Sequence, residues 1–162
     1  MTKAIKEKDP KKFLYTIEVD PAYGKYHWDG HRAHDVVLEP KEAIKYNNTC
    51  PVCGRELTIG VLHRVEELAD RPEGFEPKNV IPFKSMVPLS ELIAAVYDTQ
   101  IFSKKVWAES VKITNEFGSE LNALLNAPED NMKIVTDEKF VEMILKNRNG
   151  ELKIQPGYDG VY

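Results

Sequence analysis

The chain contains 162 residues, of which 42% are hydrophobic and 30% are charged, and it carries a formal net charge of −4 at pH 7. This composition is typical of a globular protein with one or two small domains and excludes a mainly disordered chain. The sequence also lacks an apolar run of the ~20 residues that cross a bilayer, a signal-peptide core, and a surplus of basic residues for binding nucleic acid over its whole surface. A local basic face remains compatible with this charge, and the use of only two cysteines favours a reducing, cytoplasmic location.

The first twenty residues are predicted to form a lead-in followed by one strand. Residues 1–12 carry five lysines against two acidic residues, which indicates a solvated segment or, as the alternative, an arm that contacts phosphate. Residues 13–19 combine β-branched and aromatic side chains with partial alternation, which favours a strand. We assign residues 1–20 to this lead-in and strand.

Two pairs of potential metal ligands follow. His31 and His34 are separated by two residues, as are Cys50 and Cys53, so each pair can point towards one centre from a tight turn. Imidazole nitrogens at about 2.0 Å and thiolate sulfurs at about 2.3 Å suit a tetrahedral Zn²⁺ ion. Gly54 permits the left-handed turn that such a cysteine pair usually needs.

Two other interpretations of these residues stay open. The CPVC sequence could be a thioredoxin-like redox motif, although no βαβ pattern surrounds it. Alternatively, the cysteines are free and the two histidines are solvated. The four-ligand zinc site is the favoured interpretation.

The ligand pairs belong to a predicted zinc-binding module at residues 21–72. Short strands are expected around the histidines, a brief helix begins at Pro40, and residues 56–59 form a strand that leaves the cysteine turn. With so little apolar material, this module is expected to need the ion for stability.

A helix over residues 61–71 is predicted to end the module. The spacing of Leu62, Val65 and Leu68 indicates an apolar stripe that faces the core. His63 and Arg64 then fall on the polar face, where they could meet a phosphate.

Residues 73–86 are predicted to form an ordered connector, and residues 87–162 a helical C-terminal domain. The connector is expected to bury three bulky apolar side chains, those of Phe75, Ile81 and Phe83. In the helical domain, Trp107 is assigned to the core rather than to a binding site.

The last residues are predicted to form a strand and a glycine-rich turn. Gly157 and Gly160 flank Tyr158 and Asp159, which indicates a close backbone approach, either within the fold or to a phosphate or flipped base. The predicted fold class is α+β, with a small zinc-stapled β-rich module followed by a mostly α-helical domain.

Five segments carry a more specific signal. They are GKYH at 24–27, DGHR at 29–32, CPVCG at 50–54, the long run at 57–72 and PGYDG at 156–160. Together they resemble the C-terminal half of endonuclease Q and its bacterial relatives, and the resemblance covers nearly the whole chain from residue 18 onward.

The resemblance implies a longer protein in which a PHP (polymerase and histidinol phosphatase) domain holds the nuclease metals and precedes the zinc-finger and helical domains. Such enzymes nick DNA on the 5′ side of hypoxanthine, uracil or abasic sites. Relatives often carry cysteine at the position of His34, and some at that of His31, which implies that both are ligand positions.

The same resemblance implies that the catalytic half of the enzyme is missing here. Four histidines, none of them in a His-x-His motif, cannot build a multinuclear PHP metal site. We therefore expect a fragment or a natural split product that is inactive alone and works with a PHP domain in cis or in trans.

Two functions follow as hypotheses. The first is the zinc-binding, lesion-recognising part of a repair endonuclease, whose partner is DNA with deaminated or abasic nucleotides; its candidate DNA contacts are Lys25, Arg32, Arg55, His63, Arg64 and Tyr158. The alternative is a zinc-stapled scaffold that docks on another polypeptide without binding DNA. A hydrolase that uses zinc-bound water is disfavoured, because four protein ligands close the metal shell.

Overall fold

The computed structural model describes residues 2–72 and 74–161, which form two units. The first unit comprises Met1–Leu14, Asp20–Pro82 and Lys153–Tyr162, and the second comprises Tyr15–Val19 and Phe83–Leu152. The first unit is therefore discontinuous in sequence, whereas the sequence-based division assigned everything after residue 87 to the helical domain.

Three of the four strands lie in the first part of the described residues, and five consecutive helices follow the last strand, which confirms the α+β class. The strands are β1 (Thr16–Glu18), β2 (Asp29–His31), β3 (Val36–Leu38) and β4 (Phe83–Ser85). The helices are α1 (Thr2–Glu7), α2 (Pro40–Lys45), α3 (Val61–Leu68), α4 (Leu89–Val96), α5 (Lys104–Phe117), α6 (Glu120–Leu125), α7 (Glu129–Val135) and α8 (Glu138–Asn149). Single 3₁₀ turns lie at Pro21–Tyr23 and Arg32–His34.

The first unit is built around the antiparallel pair of β2 and β3, in which His31 lies opposite Val36. Two isolated bridges extend this pair: Gly30 pairs with Thr58, and Trp28 pairs with Tyr158. The core beneath it is small, since its buried apolar cluster consists of Val36, Ala43, Cys50 and Leu57 with Leu38 packed against them.

The first residues differ from the predicted lead-in and strand. Residues 2–7 form the helix α1, which buries none of its side chains. The strand is shorter than predicted, and β1 pairs in parallel with β4, with Thr16 opposite Phe83. Within residues 56–59, Glu56 and Thr58 form isolated bridges, with Thr49 and Gly30 respectively, rather than a strand.

The second unit is a helical unit with a larger core. Leu89, Ile93, Phe140 and other apolar side chains of α4 to α8 form one cluster of fifteen buried residues among those described. Both ends of α5 carry residues that favour helix termini. The side chain of Ser103 caps its start, and Gly118 follows its end at φ 77°. No helix among the described residues combines the length and apolar character needed to cross a membrane.

Three predictions about burial are wrong. In the connector, Phe75 and Phe83 are exposed. Trp107 is 74% exposed rather than buried, and together with the 98% exposed Phe102 it lines an open cavity of about 830 Å³ beside α5. In α3, Val65 and Leu68 face solvent.

Candidate metal centre

The four predicted ligands lie together. One ligand atom from each of His31, His34, Cys50 and Cys53 can be chosen so that all four lie within 4.8 Å of one another. The Nδ1 atoms of the two histidines are 2.8 Å apart, and Nδ1 of His34 is 3.8 Å from Sγ of Cys50. In a tetrahedral zinc site the ligand bond lengths imply separations of about 3.3–3.8 Å, so this donor set fits such an ion after small side-chain adjustments.

The histidine pair is presented by a tight turn between the two paired strands. His31 ends β2, the 3₁₀ turn Arg32–His34 follows, and Asp35 adopts a left-handed conformation at φ 50° before β3 begins. An aspartate tolerates this conformation better than most residues, because its short side chain can bond locally. The turn therefore places both imidazole rings on one side of the sheet.

The cysteine pair lies in a second tight turn. The amide of Cys50 donates to the carbonyl of Arg55 at 2.7 Å, and the amide of Gly54 donates to the carbonyl of Cys50 at 2.8 Å. Gly54 has φ 71°, and a Cβ atom there would meet nothing within 4 Å, so the requirement for glycine is conformational.

The electrostatic surroundings favour a thiolate at Cys50. Burial alone would raise the pKa of its thiol, but hydrogen bonds from the Cys53 and Val52 amides and from the Cys53 side chain outweigh burial and lower that pKa. The thiolate is the form that binds a metal ion, so this environment suits a ligand. Cys53, by contrast, is exposed.

A carboxylate from the end of the chain holds the histidine turn. Asp159 accepts a hydrogen bond from the amide of Arg32 at 2.8 Å through Oδ2, and one from Oγ1 of Thr58 at 2.6 Å through Oδ1. The bond from Thr58 and, to a lesser extent, the amide and charge of Arg32 lower the pKa of this carboxyl group. The sequence offered no signal for this role, because the partners are distant along the chain.

A buried acid–imidazole pair positions the helix beside the centre. Asp29 is fully buried, and it accepts hydrogen bonds from the amide of Gly60 at 2.7 Å and from Nδ1 of His63 at 2.5 Å. This pair fixes the start of α3 against β2. The motif that contains Asp29 was recognised in the sequence, but its partner lies 34 residues away.

The predicted DNA contacts divide into exposed and buried residues. Lys25, Arg32, Arg55 and Arg64 are exposed, and Arg64 donates to Oε2 of Glu67 at 2.7 Å.

The other two predicted contacts are buried. His63 lies inside against Asp29, which corrects its assignment to the polar face of α3. Tyr158 is also buried, and its hydroxyl donates to Asp35 at 3.2 Å, so neither side chain offers a free surface to DNA in this conformation.

The glycines of the C-terminal segment, residues 153–161, serve the fold. A Cβ atom on Gly157 would lie 2.5 Å from the carbonyl oxygen of Gly24. The amides of His27 and Trp28 both donate to the Gly157 carbonyl at 3.0 Å. Of the two alternatives that the sequence left open, this contact supports packing within the fold.

Comparisons with known proteins identify a family and two relatives that are similar to this chain. The family described as the MJ0043 C-terminal domain matches residues 88–151. The chain is 36% identical over 163 residues to the uncharacterised protein MJ0043 of Methanocaldococcus jannaschii, and 29% identical over 161 residues to the uncharacterised protein YqxK of Bacillus subtilis. These alignments cover 99% and 98% of the chain but only 20% and 37% of the two relatives.

Two solved structures are similar at 34% identity. The crystal structure of the lesion-specific endonuclease PfuEndoQ from Pyrococcus furiosus matches with a TM-score of 0.77. A complex of endonuclease Q with a 27-mer duplex that carries an abasic lesion at the active site matches with a TM-score of 0.75. Each match covers 90% of this chain and 36% of the other. The chain is therefore similar in sequence and fold to about a third of endonuclease Q, and the match to the MJ0043 C-terminal domain is consistent with the C-terminal half of such a protein.

Proposed function

We propose that this chain is the zinc-binding, lesion-recognising part of an endonuclease Q-like repair nuclease. The observation that carries the proposal is the similarity, over 90% of the chain, to a solved endonuclease Q bound to DNA with an abasic lesion. The targets of this proposed function are hypoxanthine, uracil and abasic sites in DNA.

Zinc is the metal that the donor set favours. Two imidazoles and two thiolates form a closed tetrahedral shell of the kind found in structural zinc sites. Bound zinc would supply cross-linking of the two turns rather than a reactive water, because four protein ligands leave no open position. We therefore expect no metal-dependent nicking by this chain alone and assign that chemistry to a PHP domain in cis or in trans.

The physical basis of DNA binding would be phosphate contact by exposed cations. Arg32 lies in the histidine turn and Arg55 follows the cysteine turn, so both are held by the metal-bound loops; Lys25 and Arg64 are further candidates. A damaged or missing base lowers the cost of extruding a nucleotide, which is otherwise a few kcal/mol, so the lesion would supply part of the selectivity.

The test combines metal analysis with DNA binding. We expect one zinc ion per chain, and we expect binding to an abasic duplex that is tighter than to the intact duplex and weakens with salt by a slope of about −0.9 per neutralised phosphate. The double variant R32A/R55A should reduce that slope by about 2, whereas K104A/K112A on α5, which also removes two exposed positive charges, should leave the slope unchanged. Binding without salt dependence or without lesion preference would contradict the proposal, and so would metal-dependent nicking by the chain alone.

A scaffold without DNA binding is the second candidate. It is favoured by the exposed apolar stripe on α3, formed by Val61, Val65 and Leu68, and by the net negative charge. In the same titration, a scaffold would bind neither duplex at low salt, and this outcome would select the second candidate.

A further inference from the structure

We propose that Asp159 is a positioning residue for the metal centre: its carboxylate fixes both ligand-bearing turns, so the C-terminal segment is part of the centre although it contributes no ligand. This inference rests on the metal site proposed above. It adds a residue to that site which no spacing motif contains.

The carboxylate bridges the two halves of the centre. Oδ2 holds the amide of Arg32, inside the turn between the two histidines, and Oδ1 holds the hydroxyl of Thr58, on the segment that leaves the cysteine turn. The two halves are also joined directly, because Gly30 and Thr58 exchange backbone hydrogen bonds at 2.8 and 3.0 Å. Asp159 therefore fixes the same junction that sets the distance between the imidazoles and the sulfurs.

The carboxylate is delivered by a rigid turn. Tyr158 and Val161 exchange backbone hydrogen bonds at 2.9 and 2.8 Å, and the amide of Gly160 donates to the carbonyl of Lys25 at 3.0 Å. Asp159 itself adopts φ 42° inside this turn. Because the turn is bonded on both sides, the two carboxylate oxygens have little freedom to follow a ligand turn that moves.

A second contact holds the far side of the histidine turn. The Tyr158 hydroxyl donates to the carboxylate of Asp35, the residue directly after His34. The Tyr158 ring also packs on Gly30, where a Cβ atom would come within 2.4 Å of ring atom Cδ2. The C-terminal segment thus contacts the turn at Arg32 and at Asp35 and so brackets His34.

The chemistry requires a carboxylate rather than an amide. An ionised aspartate accepts through both oxygens, whereas an asparagine has one acceptor and would direct its NH₂ group at one of the two donors. Outer partners that orient metal ligands are typically worth 10- to 100-fold in metal affinity. Since Asp159 acts through the backbone rather than on a ligand atom, we place its effect near the lower end of that range.

The experiment measures metal affinity and ligand geometry in the full chain. For D159N we expect the zinc Kd, obtained by competition with a chromophoric chelator, to rise about 10-fold, with a faster release of zinc. The Co²⁺-loaded variant should show altered visible absorption bands, because the angles between its ligands change. The variant T58V, which removes only one of the two hydrogen bonds, should give a smaller change in the same direction.

The matched control is D137N. Asp137 also accepts a hydrogen bond from a backbone amide, that of Phe140, but it belongs to the helical unit. D137N should leave the zinc Kd and the Co²⁺ spectrum unchanged.

Two outcomes separate this inference from the proposed metal site. If D159N binds zinc with the Kd and Co²⁺ spectrum of the unaltered chain, Asp159 is not a positioning residue, even if the melting temperature of the metal-free variant falls. If the unaltered chain binds no zinc, the metal site itself is wrong, and this inference is overturned with it.

Discussion

At the scale of single residues, Asp29 and His63 form a buried hydrogen-bonded pair in the first unit. Both side chains are almost fully excluded from solvent, and the carboxylate has donors from the imidazole and from the amide of Gly60. A buried polar group that loses its partner costs far more than an exposed one.

We expect H63A to lower the free energy of unfolding of the first unit by about 2–4 kcal/mol, since it leaves the Asp29 carboxyl with one donor in a buried site. Urea denaturation in saturating zinc measures the change. R64A, at the neighbouring exposed position, should change it by less than about 0.5 kcal/mol. If H63A and R64A changed the free energy of unfolding equally, the buried pair would contribute no more to stability than an exposed side chain.

Two glycines of the metal centre are required for different reasons. A Cβ atom on Gly30 would lie 2.4 Å from a Tyr158 ring atom and 2.7 Å from the carbonyl oxygen of Val36, whereas one on Gly54 would meet nothing within 4 Å. Gly54 is constrained only by its φ of 71°.

We therefore expect G30A to destabilise the first unit by about 2 kcal/mol or more through overpacking, and G54A by about 1 kcal/mol through backbone strain. Thermal or urea unfolding of the two variants measures the change in the free energy of unfolding for each. A G54A variant that is destabilised as much as G30A, or more, would contradict this account.

The sequence predicts that four potential ligands lie together, but it does not predict the residues that support them, and the reason is distance along the chain. His31 with His34 and Cys50 with Cys53 lie in short turns, so their spacing alone indicates a centre. The sequence places His63 and Tyr158 at the surface, because it does not reveal their buried hydrogen-bond partners. These partners, Asp29 and Asp35, are 34 and 123 residues away along the chain. Spacing motifs carry no information about such pairs.

At the scale of secondary-structure elements, α3 illustrates what helical periodicity can predict. The predicted helix is present, with its first residue at Val61 as expected. The apolar stripe, however, faces solvent at Val65 and Leu68, while His63 faces the interior. Periodicity identifies two faces of a helix, but it does not say which face is buried. In α3 the face that carries His63 lies inward, where His63 is hydrogen-bonded to the buried Asp29 carboxylate of β2.

The start of α8 is linked to another helix by a hydrogen bond whose strength depends on pH. The Tyr97 hydroxyl, at the end of α4, donates to the carboxylate of Asp137, the N-cap of α8. This bond lowers the pKa of Asp137 below its ordinary value, against a smaller opposing effect of burial. Since the folded-state pKa is lowered, the carboxylate stabilises the helical unit above pH ~4, and the contribution is lost as the pH falls through the folded-state pKa.

We expect D137N to lower the free energy of unfolding of the helical unit by about 0.5–1 kcal/mol at pH 7, a modest value because the site is partly exposed. Asparagine is an equally good N-cap residue, so the variant keeps the cap and removes the negative charge that Tyr97 and the nearby lysines favour. Urea denaturation should find a smaller difference between the two proteins near pH 3 than at pH 7, because the carboxylate becomes protonated as the pH falls. A difference that is independent of pH would rule out this linkage.

At the scale of the whole molecule, the two units differ in the size of their buried apolar clusters. The first has a buried cluster of four residues, whereas the described helical unit has fifteen. Small domains that bury little apolar area generally need a metal or a disulfide to remain folded.

We therefore expect a chelator to lower the melting temperature of the first unit and to leave that of the second unchanged. Trp28 lies in the first unit and Trp107 in the second, so W107F and W28F are single-tryptophan variants that report on each unit by fluorescence. The transition reported by Trp28 should shift on addition of chelator, and that reported by Trp107 should not. A common shift would mean that the two units unfold as one cooperative system.

The α+β class could be predicted from composition and periodicity. The return of residues 153–161 to the first unit could not, because a short segment with few apolar residues gives no periodic signal of its partner. Gly157 indicates a close backbone approach in the sequence, but the sequence does not identify its partner, which is the backbone of Gly24.

The discontinuity of the first unit also sets an order of events during synthesis. Thr58 and Asp159 are separated by 101 positions, and the segment Phe83–Leu152 of the helical unit is translated between them. On the ribosome, the two ligand turns therefore emerge long before the carboxylate that joins them. A nascent chain that stops within α8 contains all four proposed ligands but lacks the hydrogen bonds between Asp159 and the two turns. A metal ion bound at that stage should therefore exchange faster than in the finished protein.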